Sequence, residues 1–435
     1  MPDTPTTRDL DLVLFGASGS VGTVLAKYLA ASGTSRKWAL AGRSSAKLED
    51  IQKQLPGGKP SIIIADVTDE QSMRAMARRT KVLMTTVGPY AEYGEIAVRA
   101  CVDEGTHYCD ITGEAFWVSR MHDKYGDRAV ANGVCVVSFA GYDCVPFELG
   151  AYIAHRTLAT GATPTRLVAA EALTTMSGGA PRGTILTCLS FPSQGPSLYL
   201  DWLAYVPPPE RLAFARDLIR WALPSWSVQA TALTLPEMMG AVSCTIVHRS
   251  AALLGYGGLS YNSRFDLSGS MRAHVSGGVH AALSALCFLG LLPVLTSYAV
   301  VAPLMAIGSL LVVPLLVLAP TRNALLRWVQ ATLQYDGDAD ATLIVRTRAT
   351  GANGAVAQAR LTMRGDPGIY VTATCLAETA LAMLDCCASR GGAGGAGGPT
   401  ALRAGFTTPM AACGEVLAER IRKSAGTSVE ARLVA

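Results

Sequence analysis

Apolar and polar positions alternate along the chain with two different textures. From Leu10 to about Val137, short apolar runs are separated by stretches whose apolar positions recur at helical spacing. Leu10–Phe15, Trp38–Ala41, Ser61–Ala65, Val82–Thr86, His107–Asp110 and Val134–Val137 read as strands. Val21–Ala31, Lys47–Gln54, Glu70–Arg78, Glu95–Glu104 and Phe116–Asn132 read as the helices between them. Strands that are apolar throughout bury both faces, and strands separated by helices pair in parallel. The pattern therefore predicts an α/β fold with a Rossmann-type, doubly wound parallel sheet. Ligands of such sheets bind at the carboxyl ends of the strands.

After about Gly141 the period changes. Arg166–Thr175, Ser263–Val275 and Ala341–Thr350 read as strands, and Thr350-Gly351-Ala352-Asn353-Gly354 turns the last of these into Val356–Met363. A second, antiparallel α+β domain is predicted. Val371–Cys386 and Ala411–Arg422 read as helices on either side of a glycine-rich linker, Gly391–Gly398. The expected division is 1–140 for a dinucleotide-binding domain, 141–272 with 335–370 for the second domain, 273–321 for an apolar hairpin insertion, and 371–435 for the C-terminal helices.

The insertion stands out because Ala273 to Thr321 contains no Asp, Glu, Lys or Arg. Val279–Leu295 and Tyr298–Leu318 are each about long enough to cross a hydrocarbon core of roughly 30 Å. Arg272 precedes them and Arg322 and Arg327 follow, which places both ends on the cytosolic face and predicts a re-entrant hairpin in a bilayer or a lipid-droplet monolayer. Pro293, Pro303 and Pro314 oppose regular helices, and a segment of this size can equally form a homodimer interface or cover a substrate groove.

Composition sharpens this reading. Half of the 435 residues are hydrophobic and 16% are charged, with a mean hydropathy of +0.30. That is apolar for a soluble enzyme. The net charge of +4 is scattered, so no nucleic-acid partner is expected. Eleven cysteines occur without a C-x-x-C pair, which indicates neither a metal centre nor a disulfide framework. Met1 to Asp11 carries acidic residues and no apolar stretch, so no signal peptide is expected.

Candidate chemistry begins where the first strand ends. Gly16-Ala17-Ser18-Gly19-Ser20-Val21-Gly22 is a G-x-x-G-x-x-G turn leading into a helix. Its glycines let backbone N–H groups approach a pyrophosphate, and the helix N-terminus holds the charge. NAD readers carry an acidic residue after the second strand, about twenty residues past the glycines. This chain has Arg43 and Ser44 there, with Lys47 one turn on, a cationic set suited to a 2′-phosphate and hence to NADP(H). Asp66 and Val67, after the third strand, are placed to touch adenine. Thr86, Gly88, Pro89 and Tyr90, after the fourth, are placed to line the nicotinamide side. Hydride transfer also needs a proton donor. Tyr90, Asp110 and Glu114 are the catalytic candidates, with Tyr108, Tyr142 and Asp143 on loops facing the same way. Asp110 and Glu114 also read as carboxylates that hold a loop through backbone N–H groups, and Tyr90 as an aromatic wall. The Tyr-x-x-x-Lys pair of short-chain dehydrogenases is missing from the expected region.

The glycine turn, Ala41-Gly42-Arg43, Val87-Gly88-Pro89-Tyr90, Gly105-Thr106-His107-Tyr108-Cys109-Asp110-Ile111-Thr112-Gly113-Glu114, Gly141-Tyr142-Asp143-Cys144-Val145-Pro146, Gly365-Asp366-Pro367-Gly368 and Thr407-Thr408-Pro409 occur in an order that resembles the saccharopine dehydrogenase-like oxidoreductases. That family includes the trans-acting enoyl reductases of glycolipid synthesis. The resemblance implies an NADP-type Rossmann domain, an interrupted second domain, a C-terminal return to the first, and Tyr90 facing the nicotinamide. It also implies that the apolar hairpin is a variable feature associated with membranes or lipid droplets. The chain departs from the family at Ser177-Gly178-Gly179-Ala180, where Ser-Gly-Gly-Thr is usual, and at Asp336-Gly337-Asp338-Ala339, where Gly-Glu-Gly-Pro is usual. The expected function is NADPH-dependent reduction of a small lipid-like carbonyl or enoyl substrate at the cytosolic face of a membrane or droplet. The rival expectations are a non-catalytic NADPH-binding scaffold at a lipid surface, and an amino-acid dehydrogenase, which would need Arg166, Arg182 and Arg264 to converge on carboxylates.

Overall fold

The computed structural model describes residues 8–178 except 58, residues 201–266 except 202, 223, 224, 231 and 238, a few positions between 320 and 336, and residues 337–388 and 402–434. The chain divides into two units, Met1–Val145 with Gly368–Thr427, and Pro146–Pro367 with Ser428–Ala435. The apolar hairpin predicted over 273–321, apart from its last two positions, lies outside the described residues, as do the glycine-rich linker and Arg182.

The first unit alternates β1 Leu10–Phe15, α1 Ser20–Ala31, β2 Trp38–Gly42, α2 Ser45–Gln54, β3 Ser61–Ile64, α3 Glu70–Arg79, β4 Thr80–Thr85, α4 Tyr90–Asp103, β5 His107–Asp110, α5 Ala115–Ala131 and β6 Cys135–Val137. All neighbouring strands pair in parallel. Leu12, Val13 and Leu14 are fully buried, as a strand covered on both faces requires. The chain turns back on itself at β1, which lies between β2 and β4. Phe15 pairs with Thr85 there, so the glycine turn and the Thr86 loop leave the sheet side by side. This is the switch point at which a doubly wound sheet opens a crevice.

The second unit contains α6 Val145–Thr160, β7 Leu167–Met176, α7 Arg211–Ala222, β8 Ser225–Ser227, β9 Ala232–Pro236, α8 Gly240–Leu254, β10 Ser260–Phe265, β11 Thr342–Gly351 and β12 Val356–Arg364. The predicted hairpin forms, with Thr350 opposite Val356. The sheet is mixed, which corrects the antiparallel expectation: β7 and β10 run parallel, while β11 pairs antiparallel with both β7 and β12. Parallel neighbours need a long crossover, and α7 and α8 lie in that connection. His248 on α8 is fully buried between Glu210 and Asp217, 3.4 and 3.2 Å from their carboxylates, which joins α7 to α8 through a polar contact.

The chain then forms α9 Thr372–Ala388, β13 Gly405–Thr407, α10 Pro409–Lys423 and β14 Thr427–Val434. Strand β13 adds to β6 as a seventh parallel strand of the first sheet. Strand β14 joins the second sheet beside β12, so the return to the first unit stops near residue 427 and does not extend through the expected 371–435. Among the described residues, the Pro367–Ala388 helix is the one long and apolar enough to cross a membrane, and most of it is buried inside the protein.

Candidate functional site

The crevice at the end of β1 is built by glycines with different duties. Gly16 has φ +87, and a Cβ there would come within 2.7 Å of Thr86 Oγ1 and 2.8 Å of Val87. A Cβ at Gly22 would overlap the Gly16 carbonyl oxygen. Both are demanded by the fold itself. Gly19 is not, because a Cβ there would meet nothing closer than the Gly16 carbonyl oxygen at 3.4 Å. Its missing side chain leaves open space at the start of α1, where no side chain caps the helix. The first N–H groups of a helix have no partners within it, so this is a cradle that a Cβ would fill and a phosphate fits. Ala17, Ser18, Ser20 and Val21 complete the turn, and Ala17 is buried beneath it. Thr86 Oγ1 donates to the Gly16 carbonyl at 3.1 Å, tying the loop after β4 to the glycine turn.

The second strand ends as the sequence reading expects. Arg43 follows β2 with its side chain 77% exposed, 4.0 Å from Asp66 at the end of β3. Ser44 caps α2 by accepting from the Lys47 N–H at 3.4 Å. The N-terminus of α2 and the Arg43 guanidinium thus lie next to one another in sequence, and both attract an anion such as the 2′-phosphate. Asp66 accepts from the Thr68 N–H and hydroxyl at 2.9 and 2.8 Å, and these bonds hold its carboxyl below the usual range. It is charged, and Val67 lies within the turn it closes.

The three catalytic candidates converge on the loops after β4 and β5, but their polar atoms are engaged inside the first unit. The Glu114 carboxylate is nearly fully buried and accepts from the Tyr90 N–H at 2.9 Å and the Ala91 N–H at 2.7 Å. It caps the N-terminus of α4 directly after Gly88 and Pro89. Burial raises its pKa. The Tyr90 hydroxyl donates to the Thr85 carbonyl at 3.0 Å, and the ring packs 5.7 Å from that of Trp117. Burial raises the Tyr90 pKa well above the ordinary phenol value. Asp110 is fully buried and accepts from the Thr112 N–H at 3.0 Å, Ser138 Oγ at 3.1 Å and the Phe139 N–H at 3.4 Å. Burial pushes its pKa up to about 7. Asp110 therefore joins the loop after β5 to the loop after β6, where Phe139 holds φ +67. Tyr142 and Asp143 follow in the next turn, both buried, with the Tyr142 N–H donating to Thr372 Oγ1 at 3.2 Å.

Sequence reading missed one participant and one bond. Thr86 was assigned to the nicotinamide loop, but its hydroxyl bond to the glycine turn has no local signal. Thr372 lies at the start of α9, and only the return of the chain brings it to Tyr142. The arginines proposed for an amino-acid substrate do not gather among the described residues. Arg166 donates to the Gly257 carbonyl, whereas Arg264 is buried and donates to the Trp221 carbonyl at 2.9 Å.

A parallel sheet with a glycine turn before an uncapped helix, and a cation where the second strand ends, defines an NADP-type dinucleotide-binding oxidoreductase. Residues 12–137 match the family model for the saccharopine dehydrogenase NADP-binding domain. A Mycobacterium tuberculosis protein provisionally named a trans-acting enoyl reductase is 31% identical over 461 aligned positions, covering 98% of both chains. A trans-acting enoyl reductase of Mycobacterium leprae is 39% identical over 154 residues, 35% of this chain and 37% of the relative. Apo saccharopine dehydrogenase of Saccharomyces cerevisiae aligns over 98% of this chain and all of its own, at 14% identity and a TM-score of 0.48. The chain belongs to the saccharopine dehydrogenase-like oxidoreductases, the family that includes the trans-acting enoyl reductases, and its cofactor is NADP(H).

Proposed function

We propose that the protein is an enoyl reductase that uses NADPH to saturate a carbon–carbon double bond conjugated to a carbonyl in a lipid-like substrate, working at a lipid surface. The observation that carries this reading is the full-length similarity to a relative named for enoyl reduction, which spans both units.

NADPH, when bound, supplies the hydride. The protein's part is binding and orientation. Gly19 and the first N–H groups of α1 receive the pyrophosphate, and Arg43 with the N-terminus of α2 receives the 2′-phosphate. The Thr86–Tyr90 loop forms the nicotinamide wall, and Glu114 fixes that wall by capping α4. With the Tyr90 hydroxyl bound to Thr85 and the Asp110 carboxyl enclosed by Thr112, Ser138 and Phe139, these side chains position the loops around the cofactor. The proton that completes reduction reaches the substrate from another group or from water.

The test is NADPH oxidation by purified protein with enoyl-thioester, carbonyl-lipid and amino-acid acceptors, following products by mass spectrometry. Gain of two hydrogens across the enoyl bond supports the reading. Turnover confined to an amino-acid acceptor, or tight NADPH binding with no turnover on any acceptor, overturns it, and the second result favours a scaffold.

A further inference from the structure

Helix α7 and the strand after it present apolar side chains to the outside of the second unit. The inward side of α7 is Phe214, Asp217 and Trp221: Phe214 and Asp217 are buried, Asp217 meets His248, and Trp221 Nε1 donates to the Glu237 carbonyl at 3.0 Å. Leu212, Arg216, Ile219 and Arg220 recur at helical spacing as a second stripe. On β8, Ser225 Oγ accepts from Arg264 Nε at 3.0 Å and Ser227 Oγ donates to Glu171 at 2.6 Å, so both serines face the sheet interior. Side chains alternate along a strand, and Trp226 and Val228 point the other way. Leu212 is 87% exposed, Val228 68%, and Ile219 and Trp226 66% each. Arg264 also donates to the Trp221 carbonyl at 2.9 Å, which ties the end of α7 to the start of β8 and brings the helix stripe next to the strand positions.

We propose that this face of the second unit lies on an anionic lipid surface. Leu212, Ile219, Trp226 and Val228 enter the boundary between headgroups and acyl chains, and Arg216 and Arg220 meet lipid phosphates. The proposal rests on the lipid-surface reading above and names the part of the described protein that meets the lipid. Four large apolar side chains left this exposed mark an interaction site. The charges beside them select its occupant. From Arg211 to Val228 the one acidic residue is Asp217, which is buried. Arg216 and Arg220 lie 3.1 and 4.0 Å from it and keep more than half of their side chains exposed. A second copy docked about a two-fold axis would set these arginines against themselves, whereas lipid phosphates neutralise them.

Tryptophan and aliphatic side chains flanked by arginine are the composition of elements that lie in a membrane interface, with the ring at headgroup level. The uncharged stretch Ala273–Thr321 follows β10 in the chain, and β10 is the strand on which α7 packs. The two features therefore belong to neighbouring parts of one unit. Four side chains are too few to hold the protein on lipid alone, since stable attachment takes two signals. This face orients the second unit on the surface to which the uncharged stretch attaches it.

The experiment mixes the full-length protein with vesicles of equal parts phosphatidylcholine and phosphatidylglycerol, brominated on the acyl chains near the headgroups, and reads the quenching of tryptophan fluorescence. Trp226 reports on this face, and Trp328 on the sequence just after the uncharged stretch. The expected result is a quenched component that disappears in Trp226→Phe, falls severalfold in the double variant Leu212→Ser with Ile219→Ser, and is weaker on phosphatidylcholine alone. Trp226→Phe removes the reporter and keeps an aromatic ring, so it decides the matter even where the double variant melts early. Quenching that is unchanged in Trp226→Phe but lost in Trp328→Phe overturns this proposal and leaves the lipid-surface reading standing. Absence of vesicle binding by the wild type overturns both. A dimer in solution that the double variant dissolves assigns the face to a second copy and likewise overturns the proposal.

Discussion

The hydroxyl of Tyr28 on α1 donates to Glu378 Oε1 on α9 at 2.6 Å, joining the helix that follows the glycine turn to a residue 350 positions further along the chain. Arg420 on α10 pairs with the other oxygen of Glu378 at 2.8 Å and with Asp385, which also receives Arg36. The C-terminal return thus fixes the back of α1, and the front of α1 carries the glycine turn of the proposed cofactor site. Burial raises the Tyr28 pKa, and the neighbouring Glu378 charge raises it further.

Removing Glu378 should therefore hurt more than removing Tyr28. Tyr28→Phe deletes one hydrogen bond to a charged acceptor and should cost about 1–2 kcal/mol. Glu378→Ala removes the acceptor of Tyr28 and one of the two carboxylates that Arg420 pairs with, and should cost about 2–3 kcal/mol. Urea unfolding of both variants checks the order. Equal losses would show that Arg420 is held by Asp385 alone.

The three glycines of the turn should separate by mechanism. Gly22→Ala puts a methyl group onto the Gly16 carbonyl and should destabilise the unit by about 2 kcal/mol or more. Gly19→Val should keep a cooperative melt, since the protein leaves space there, and should lose NADPH binding. Calorimetry and thermal melting of the two variants give the comparison. NADPH binding by Gly19→Val would place the pyrophosphate elsewhere.

Arg43 should set cofactor choice. A charge-assisted contact to the 2′-phosphate is worth about 1.5–3 kcal/mol, or roughly ten- to a hundredfold in affinity. Arg43→Asp should lose that much NADPH affinity and leave NADH nearly unchanged. Equal affinities for the two cofactors in the parent protein would remove the assignment.

The parts of this architecture that sequence reading found are the locally determined ones. β1, the glycine turn and α1 follow from an apolar run, a glycine at positive φ and helical periodicity, all within a few neighbours. α4 shows the limit. It was expected from Glu95 but begins at Tyr90, because its cap is the Glu114 carboxylate on the loop after the next strand. β13 and β14 were missed because they are edge additions whose reason is a partner strand far away. The parallel β7–β10 pair was missed because strand direction is set by the crossover and leaves no mark on the strand itself. The structure brings Tyr90, Asp110 and Glu114 to neighbouring loops, but which of their atoms are engaged depends on Thr85, Ser138 and the α4 backbone.

Asp110 gives a pH signature with a definite sign. Its folded pKa of about 7 lies above the ordinary 3.8, so the folded protein binds this proton more tightly than the unfolded chain. Its contribution to stability is complete below about pH 4 and falls away as the pH rises through about 7. At ~1.4 kcal/mol per pKa unit, the total change is of the order of 4 kcal/mol. Asp110→Asn removes the titration, so the difference in unfolding free energy between the parent and this variant should shift in the variant's favour between pH 4 and pH 8. Denaturant titrations across that range measure it. A difference that stays constant with pH would mean that Asp110 is ionised throughout.

The lipid-surface part of the proposed function makes the last prediction. An uncharged stretch from Ala273 to Thr321 flanked by Arg272, Arg322 and Arg327 gains free energy by entering lipid while its cations remain among the headgroups. The full-length protein should float with vesicles in a density gradient, and deletion of residues 278–319 should abolish flotation while NADPH binding in the first unit persists. If the segment instead covers an apolar surface of the folded protein or forms a dimer interface, the deletion should expose that surface and produce aggregation with loss of NADPH binding. Flotation and NADPH calorimetry on both proteins distinguish the two results. An intact protein that remains in the soluble fraction when membranes and droplets are present would assign the segment to the protein interior or to a partner copy.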